Sequence, residues 1–296
     1  MKYFTVALFG AGILLAFGYL HLSPFTNTAA RDADGTAKTT SRDGRTIEYY
    51  VQGTGLRVVL LASAGRAVSD FNQHASALVD AGYKTVAVEA PGIGRSDLPE
   101  GDHHLYDLGS DARAVIDADG GEPTSFFIGH AFGNRVARAT SLRYEKISRG
   151  VILLAAGGYK PVPKKAEIAL KNLFNPGRFG RLRLADLKYA FFADGNEPPD
   201  DWRRGWHIDT ALLQGAASGL TPDKEWRSGG TAPMLVVQPA ADAIAPKEDA
   251  ADPLKANYPD RVTVALAENA GHALLPEQPD LVAGSVIAFL TAYSSE

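Results

Sequence analysis

A short turn with glycine on both sides, Gly129-His130-Ala131-Phe132-Gly133, constrains the fold of this chain more than any other feature. An apolar run over residues 124–128 precedes the turn, and apolar side chains then recur at helical spacing, at Phe132, Val136 and Ala139. The segment is therefore predicted to pass from a strand through a sharp turn into a helix. The two glycines fit such a turn, because the strand and the helix leave no room there for side chains.

Further apolar runs predict a series of strands that alternate with amphipathic helices. Besides the run before the turn, the predicted strands cover residues 46–51, 57–62, 84–89, 151–155, 233–238 and 262–266. Alternation of this kind is typical of an α/β fold with a mostly parallel, doubly wound sheet covered by helices on both faces.

The alternation lapses over residues 159–229, a segment too long to be a plain loop in a compact domain. It contains all three tryptophans of the chain and several prolines. We interpret it as a mostly helical cap, inserted into a core formed by residues 46–158 and 230–296.

Aromatic and basic residues of the predicted cap are candidates for substrate binding. Trp202, Trp206 and His207 are predicted to line a pocket for an apolar or aromatic ligand, and packing of the cap against itself is the alternative. Arg203 and Arg204 are candidate partners for an anion.

The first part of the chain has the pattern of a targeting segment. Lys2 precedes an uncharged, mostly apolar stretch, and Thr28-Ala29-Ala30 supplies small residues. This pattern predicts a signal peptide or an N-terminal membrane anchor over residues 1–30, with a transmembrane helix over residues 3–22 in the second case. Either would place the globular part in the periplasm or outside the cell. The polar residues 31–45 are predicted to form a linker.

Composition excludes several kinds of site. The chain has no cysteine, which rules out disulfides, thiolate metal ligands and a cysteine nucleophile. The net charge of −4 gives no reason to expect a nucleic-acid partner. His103 and His104 are adjacent, but no third ligand follows at a matching spacing. We therefore expect a small-molecule substrate and no metal or other cofactor.

Taken together, five stretches of residues 46–293 resemble the α/β-hydrolase superfamily. They are the turn at residues 129–133, Ser63-Ala64-Gly65-Arg66 after an early strand, Pro91-Gly92-Ile93-Gly94-Arg95-Ser96, the loop containing Asp242 after a late strand, and Ala270-Gly271-His272. The turn resembles the nucleophile elbow of these enzymes, and the order apex, acid, histidine is also theirs.

The resemblance implies roles for the residues in these loops. Asp242 and His272 would be the acid and the base of a catalytic triad, and the backbone N–H groups of Phe132 and Ala64 would form an oxyanion hole. The alternatives are a structural loop histidine and an Asx turn, with Asp249 as a rival acid. His130, which precedes the apex, is expected to point toward the sheet, and Glu89 is expected to brace loops.

The sequence departs from the superfamily at the apex of the elbow. Members usually carry Ser there, sometimes Asp or Cys, whereas this chain carries Ala131, whose methyl group cannot attack a substrate. Bacterial aminoacrylate hydrolases resemble this chain in having Ala at the apex.

Four interpretations of Ala131 remain open. The protein is a hydrolase of small esters, lactones or similar activated acyl substrates in which His272 and Asp242 activate water, or a cofactor-free lyase or oxygenase on the same scaffold. Alternatively, it is a non-catalytic ligand-binding homologue, or a serine hydrolase whose nucleophile has been replaced by Ala. We take a hydrolase as the leading hypothesis.

Overall fold

The computed structural model describes residues 31–157, 159–175 and 180–294. In this part of the chain a single sheet has the strand order β1-β2-β4-β3-β5-β6-β7-β8. Its strands are β1 (Thr36–Arg42), β2 (Arg45–Gln52), β3 (Arg57–Leu61), β4 (Lys84–Val88), β5 (Ser125–His130), β6 (Ser148–Leu154), β7 (Met234–Pro239) and β8 (Val262–Ala267).

The sheet is mostly parallel, as predicted. Strands β3 to β8 pair in parallel, whereas β1 pairs antiparallel with β2 and β2 antiparallel with β4. The connecting helices are α1 (Asn72–Asp80), α2 (Leu105–Asp119), α3 (Gly133–Arg143), α4 (Lys164–Leu173), α5 (Gly180–Phe191), α6 (Asp200–Arg203), α7 (Ile208–Leu220), α8 (Ala251–Asn257) and α9 (Pro279–Tyr293).

Two hydrophobic layers cover the two faces of the sheet. Along β3, Val59 and Leu61 belong to one layer, whereas Val58 and Leu60 belong to the other. This alternation follows from the strand geometry, because successive side chains point to opposite faces. Helices α2 and α3 contribute to the first layer, and α1 and α9 to the second. The predicted doubly wound α/β arrangement is thus confirmed.

The prediction of a linker over residues 31–45 is wrong, because β1 occupies Thr36–Arg42 and forms a hairpin with β2. Asp43 and Gly44 connect the two strands, both with positive φ, of 52° and 76°. Such a two-residue turn matches the twist of a hairpin. The side chains of β1 are mainly polar and exposed, so the strand lacks the apolar alternation on which strand prediction depends.

Helices α4 to α7 lie between β6 and β7, within the segment interpreted as a cap. They contribute most of a third hydrophobic cluster, which includes Phe191, Trp202 and Trp206. Ala273, from the loop after β8, belongs to the same cluster. The cap therefore packs directly against the residue that follows His272.

The prediction of a transmembrane helix is corrected by the structure. No helix within residues 31–157, 159–175 and 180–294 is long and apolar enough to cross a bilayer. Residues 1–30, on which the signal peptide or anchor was predicted, lie outside the described residues.

The contact between α3 and the end of β3 gives a stability prediction. A Cβ atom at Gly133 would collide with the backbone carbonyls of Leu61 and Ala62. Because the obstacle is backbone, we expect Gly133→Ala to lower the free energy of unfolding in urea by about 3 kcal/mol. Gly284→Ala in α9 is the control: nothing lies within 4 Å of its added methyl group, so a gain of about 0.5–1 kcal/mol is expected. Equal stability of Gly133→Ala and wild type would contradict this account of the turn.

Candidate active site

The turn between β5 and α3 has the geometry of a nucleophile elbow. Ala131 stands at its apex with a φ of 48°, in the left-handed region that costs an L-residue about 1–2 kcal/mol. The Ala131 N–H donates to the carbonyl of Leu154 on the neighbouring strand, with an N···O distance of 2.9 Å. The Asn134 side chain donates back to the Ala131 carbonyl. These bonds hold the strained apex, although no nucleophilic side chain stands there.

The structure brings Asp242 and His272 into direct contact. The Nδ1 atom of His272 lies 2.8 Å from Oδ2 and 3.0 Å from Oδ1 of Asp242. Oδ1 also accepts hydrogen bonds from the backbone N–H groups of Ile244 and Ala245, at 2.9 and 2.8 Å. Because a carboxylate only accepts, Nδ1 carries the ring proton, and the lone pair of the imidazole is on Nε2.

His272 and Ala131 line one cavity of about 340 Å³. Ala64 and Phe132, the two residues predicted for the oxyanion hole, line it as well. Their backbone N–H groups make no hydrogen bond to any part of the chain that the structure describes. Phe132 immediately precedes α3, where the positive end of the helix dipole favours negative charge. The cavity thus combines a base, two free donors and an apex without a side-chain oxygen.

These geometric features agree with a family match. The family model for alpha/beta hydrolases matches residues 58–285, which is well over half of the chain. The chain belongs to the alpha/beta hydrolase family.

The curated relative that matches this alpha/beta hydrolase is distant in sequence. A 2-hydroxy-6-oxo-6-phenylhexa-2,4-dienoate hydrolase from Comamonas testosteroni is 25% identical over 146 residues, 46% of this chain and 51% of the relative. The chain thus matches about half the length of that relative.

Solved structures support the same fold. A bromoperoxidase from Bacillus anthracis aligns with a TM-score of 0.71 at 19% identity, over 86% of this chain and 100% of its own. A thermophilic esterase from Thermogutta terrifontis aligns with a TM-score of 0.70 at 20% identity, over 88% of this chain and 99% of its own. At such identities the similarity establishes the fold and leaves the reaction open.

His130 holds the loop that carries His272. Its Nε2 lies 2.9 Å from the His272 carbonyl oxygen. Burial, and secondarily the neighbouring His272, lowers the pKa of His130 to about 4, so the ring is neutral and donates this bond from Nε2. His130 is fully buried, and it does not appear among the described residues that line the cavity. Its place is structural, beneath the site.

The prediction that Trp202, Trp206 and His207 line the substrate pocket is wrong for the cavity beside His272, whose described lining includes none of them. All three are buried at the base of the cap. The guanidinium of Arg66 lies 4.6 Å from the ring centroid of Trp202 and 4.9 Å from that of Trp206. The two tryptophan rings also pack against each other and against Phe191. This apolar packing is the reason for their burial.

The buried cap residues instead hold the backbone loop that contains Ala64. The His207 N–H donates to the Gly65 carbonyl at 2.8 Å, and the Gly65 N–H donates to Oε1 of Gln214 on α7 at the same distance. Arg66 pairs with Asp70, with 2.6 Å between Nη2 and Oδ1. The cap thus fixes the orientation of a candidate oxyanion donor. Sequence reasoning missed Gln214, because a polar residue on an amphipathic helix gives no local sign of its distant partner.

The cap also holds the histidine loop. The Ala273 N–H donates to the Phe191 carbonyl at 2.7 Å. Glu277 accepts from the N–H of Gly271 at 2.7 Å and from the N–H of Ala193 at 2.8 Å. The loop and the cap therefore share one carboxylate, which keeps the imidazole in place.

Three further polar residues line the cavity wall and were not predicted as site residues: Arg135, Lys160 and Ser218. Lys160 forms an ion pair with Asp249, the rival acid of the sequence analysis, and both line the cavity. Arg135, on α3, follows Phe132 by three residues, about one helical turn. That spacing is the one sequence signal that could have pointed to Arg135. Within the described residues, no group of three or more His, Asp or Glu side chains is arranged to hold a metal ion.

Glu89 braces the neighbouring loop from a buried position just after β4. Its two carboxylate oxygens lie 3.2 and 3.3 Å from the Val68 backbone nitrogen, whose N–H donates to them. Burial is the main reason that the pKa of Glu89 is raised to about 8; the Val68 hydrogen bond opposes the rise, and the carboxylates of Glu48 and Asp70 add to it. Glu89 is therefore protonated in the folded protein near neutral pH.

This shift predicts that the stability of the folded protein falls as pH rises toward 8. The unfolded chain releases the Glu89 proton near pH 4.5, whereas the folded protein keeps it to about pH 8, so stability falls as pH rises through this window. Buried His74, His130 and His207, with pKa values lowered to about 4, act in the opposite direction, but only below the unfolded value of 6.5. Between pH 6.5 and 8 we expect the wild type to lose about 1 kcal/mol or more of unfolding free energy.

Glu89→Gln keeps an acceptor for Val68 and cannot ionise, so its stability is expected to stay flat over that interval. Urea unfolding at closely spaced pH values measures both proteins. Parallel pH profiles for the two would show that Glu89 is already ionised in the folded state.

Proposed function

We propose that this protein hydrolyses a small ester, lactone or similar activated acyl substrate without a covalent enzyme intermediate. One observation carries the proposal: the imidazole that Asp242 holds through Nδ1 lines the same cavity as Ala131 and the unpartnered N–H groups of Ala64 and Phe132. A base and an oxyanion hole are the parts that direct attack by water requires.

In the proposed reaction, Nε2 of His272 takes a proton from a water molecule beside the Ala131 methyl group. The oxygen of that water attacks the acyl carbon, and the negative charge that develops on the acyl oxygen is stabilised by the two N–H groups. Asp242 stabilises the imidazolium. When the tetrahedral intermediate collapses, the bond to the leaving group breaks and the imidazolium returns its proton to that group. The products are a carboxylic acid and an alcohol, or a hydroxy acid from a lactone.

Ala131 is the reason for proposing an activated substrate. Without a nucleophilic side chain, an oxyanion hole and binding together retain roughly 10³–10⁴-fold acceleration over water. A positioned general base adds about 10²–10⁴-fold. The combination reaches the lower range of enzymatic rate enhancements, about 10⁶-fold and above, most easily for acyl groups with a good leaving group or ring strain.

The relatives support the reaction class. The Comamonas testosteroni relative is named a hydrolase, of an oxo-dienoate, and the Thermogutta terrifontis neighbour is an esterase. Both names fit hydrolysis at a carbonyl carbon. The choice of activated ester and lactone substrates rests on Ala131 and on the general-base mechanism that it requires.

The proposal predicts that His272→Ala lowers kcat for para-nitrophenyl acetate or a small lactone by about 10²–10⁴-fold, because the base is lost. Asp242→Asn should also lower kcat, since the imidazole loses the partner that fixes its tautomer. His103→Ala is the matched control. The His103 ring hydrogen-bonds to the Gly101 carbonyl within an exposed polar loop, so kcat should stay at the wild-type value.

Circular dichroism and thermal unfolding show whether each variant is folded. Equal turnover by folded His272→Ala and wild type would refute the proposed base. Absence of turnover by the wild type on esters and lactones would leave a ligand-binding protein.

A further inference from the structure

Arg135 lines the cavity that Ala131 and His272 also line, and its guanidinium forms no ion pair with any described residue. Within residues 31–157, 159–175 and 180–294 it makes no ion pair or hydrogen bond, and its neighbour is the ring of Trp226, with a centroid 5.5 Å away. A half-buried cation of this kind is costly unless something compensates its charge.

The surroundings of Arg135 add positive charge. Arg138, one turn further along α3, is fully buried and lies 4.5 Å from the same Trp226 ring. It donates to uncharged oxygens, including the Gly157 carbonyl at 2.9 Å, and Gly157 also lines the cavity. The nearby acid, Asp223, favours the charge of Arg135 from a distance but forms its ion pair with Arg227. Burial lowers the pKa of Arg138 to about 9, which leaves it charged at neutral pH.

Ser218 supplies a second unpartnered group. It lies on α7 of the cap and lines the cavity, and its hydroxyl oxygen is buried with no hydrogen-bond partner in the described part of the chain. A buried hydroxyl without a partner costs free energy, and an acceptor on the ligand would satisfy it. The other ionic groups of the cavity wall, Lys160 and Asp249, satisfy each other.

We propose that the cavity takes a substrate that carries a carboxylate in addition to its reacting acyl group, with Arg135 as the counter-ion and the Ser218 hydroxyl as a second donor. This proposal names the substrate class of the hydrolase proposed above and rests on that function. The planar guanidinium suits a carboxylate, because it can donate two parallel hydrogen bonds. Arg135 lies one helical turn from the apex, so the carboxylate is separated from the acyl carbon by a short chain.

Two matched esters test the proposal: mono-para-nitrophenyl adipate, whose acyl chain ends in a carboxylate, and para-nitrophenyl hexanoate, whose chain of equal length ends in a methyl group. We expect the wild type to prefer the adipate ester in kcat/KM. Arg135→Gln should lower the ratio of the two kcat/KM values by about 10- to 100-fold, mainly through KM. Arg135→Lys should restore part of the ratio, and Ser218→Ala should lower it a few-fold.

Arg143→Gln is the matched control, because Arg143 ends the same helix at an exposed position outside the described cavity lining. Its ratio should equal that of the wild type. A ratio that is unchanged in Arg135→Gln would overturn the proposal, and so would an equal loss in Arg143→Gln.

Calorimetric binding of the corresponding amides separates this proposal from the hydrolase function. The monoamide of adipic acid, which keeps one carboxylate, should bind the wild type and His272→Ala more tightly than hexanamide, which has none, and Arg135→Gln should abolish the difference. If neither ester is cleaved but this binding pattern holds, the hydrolase function fails and the carboxylate site stands. If both esters are cleaved without preference and the adipic monoamide gains nothing from Arg135, the hydrolase function stands and the carboxylate site is refuted. Should Arg135→Gln fail to fold, the Arg135→Lys and Ser218→Ala ratios decide.

Discussion

The hydrogen bond between the Asp242 carboxylate and Nδ1 of His272 determines what this site can do. It fixes the proton on Nδ1 and leaves the lone pair of the imidazole on Nε2. Asp242 is itself held by the N–H groups of Ile244 and Ala245, so the pair is anchored in backbone. Without this bond, the elbow at Ala131 would be a structural turn with two free donors and no base.

The cap holds the backbone loops of the site and also lines part of its cavity. Through His207 and Gln214 it holds the loop that contains Ala64, and through the Phe191 carbonyl it holds the loop that contains His272. The buried aromatic cluster therefore makes the spacing between the proposed oxyanion donor and the proposed base depend on how well the cap packs. Loops held in this way need little reorganisation as charge develops, which is the condition for electrostatic stabilisation of an oxyanion.

Local patterns explain which parts of the molecule are predictable from sequence. The elbow was predictable because Gly129 and Gly133 report close backbone contacts, and Asp242 and His272 because their loops resemble those of the superfamily. Strand β1 was not, since its residues are polar on both faces and its hairpin turn is its only signal. Trp202 was misjudged and Arg135 was missed for the same reason. Whether a residue of the cap or of a helix faces the cavity depends on tertiary packing. An arginine on a helix is by default solvated.

The tautomer and environment of His272 provide the most direct test of the proposed base. Nitrogen-15 NMR of histidine-labelled protein at mildly alkaline pH distinguishes a protonated ring nitrogen from one with a free lone pair, and His272→Ala assigns the signals. The predicted result is a neutral imidazole protonated on Nδ1, with Nε2 unprotonated and with the Nδ1 signal altered in Asp242→Asn. A ring protonated on Nε2, or signals that Asp242→Asn leaves unchanged, would contradict the proposal that His272 activates water beside Ala131.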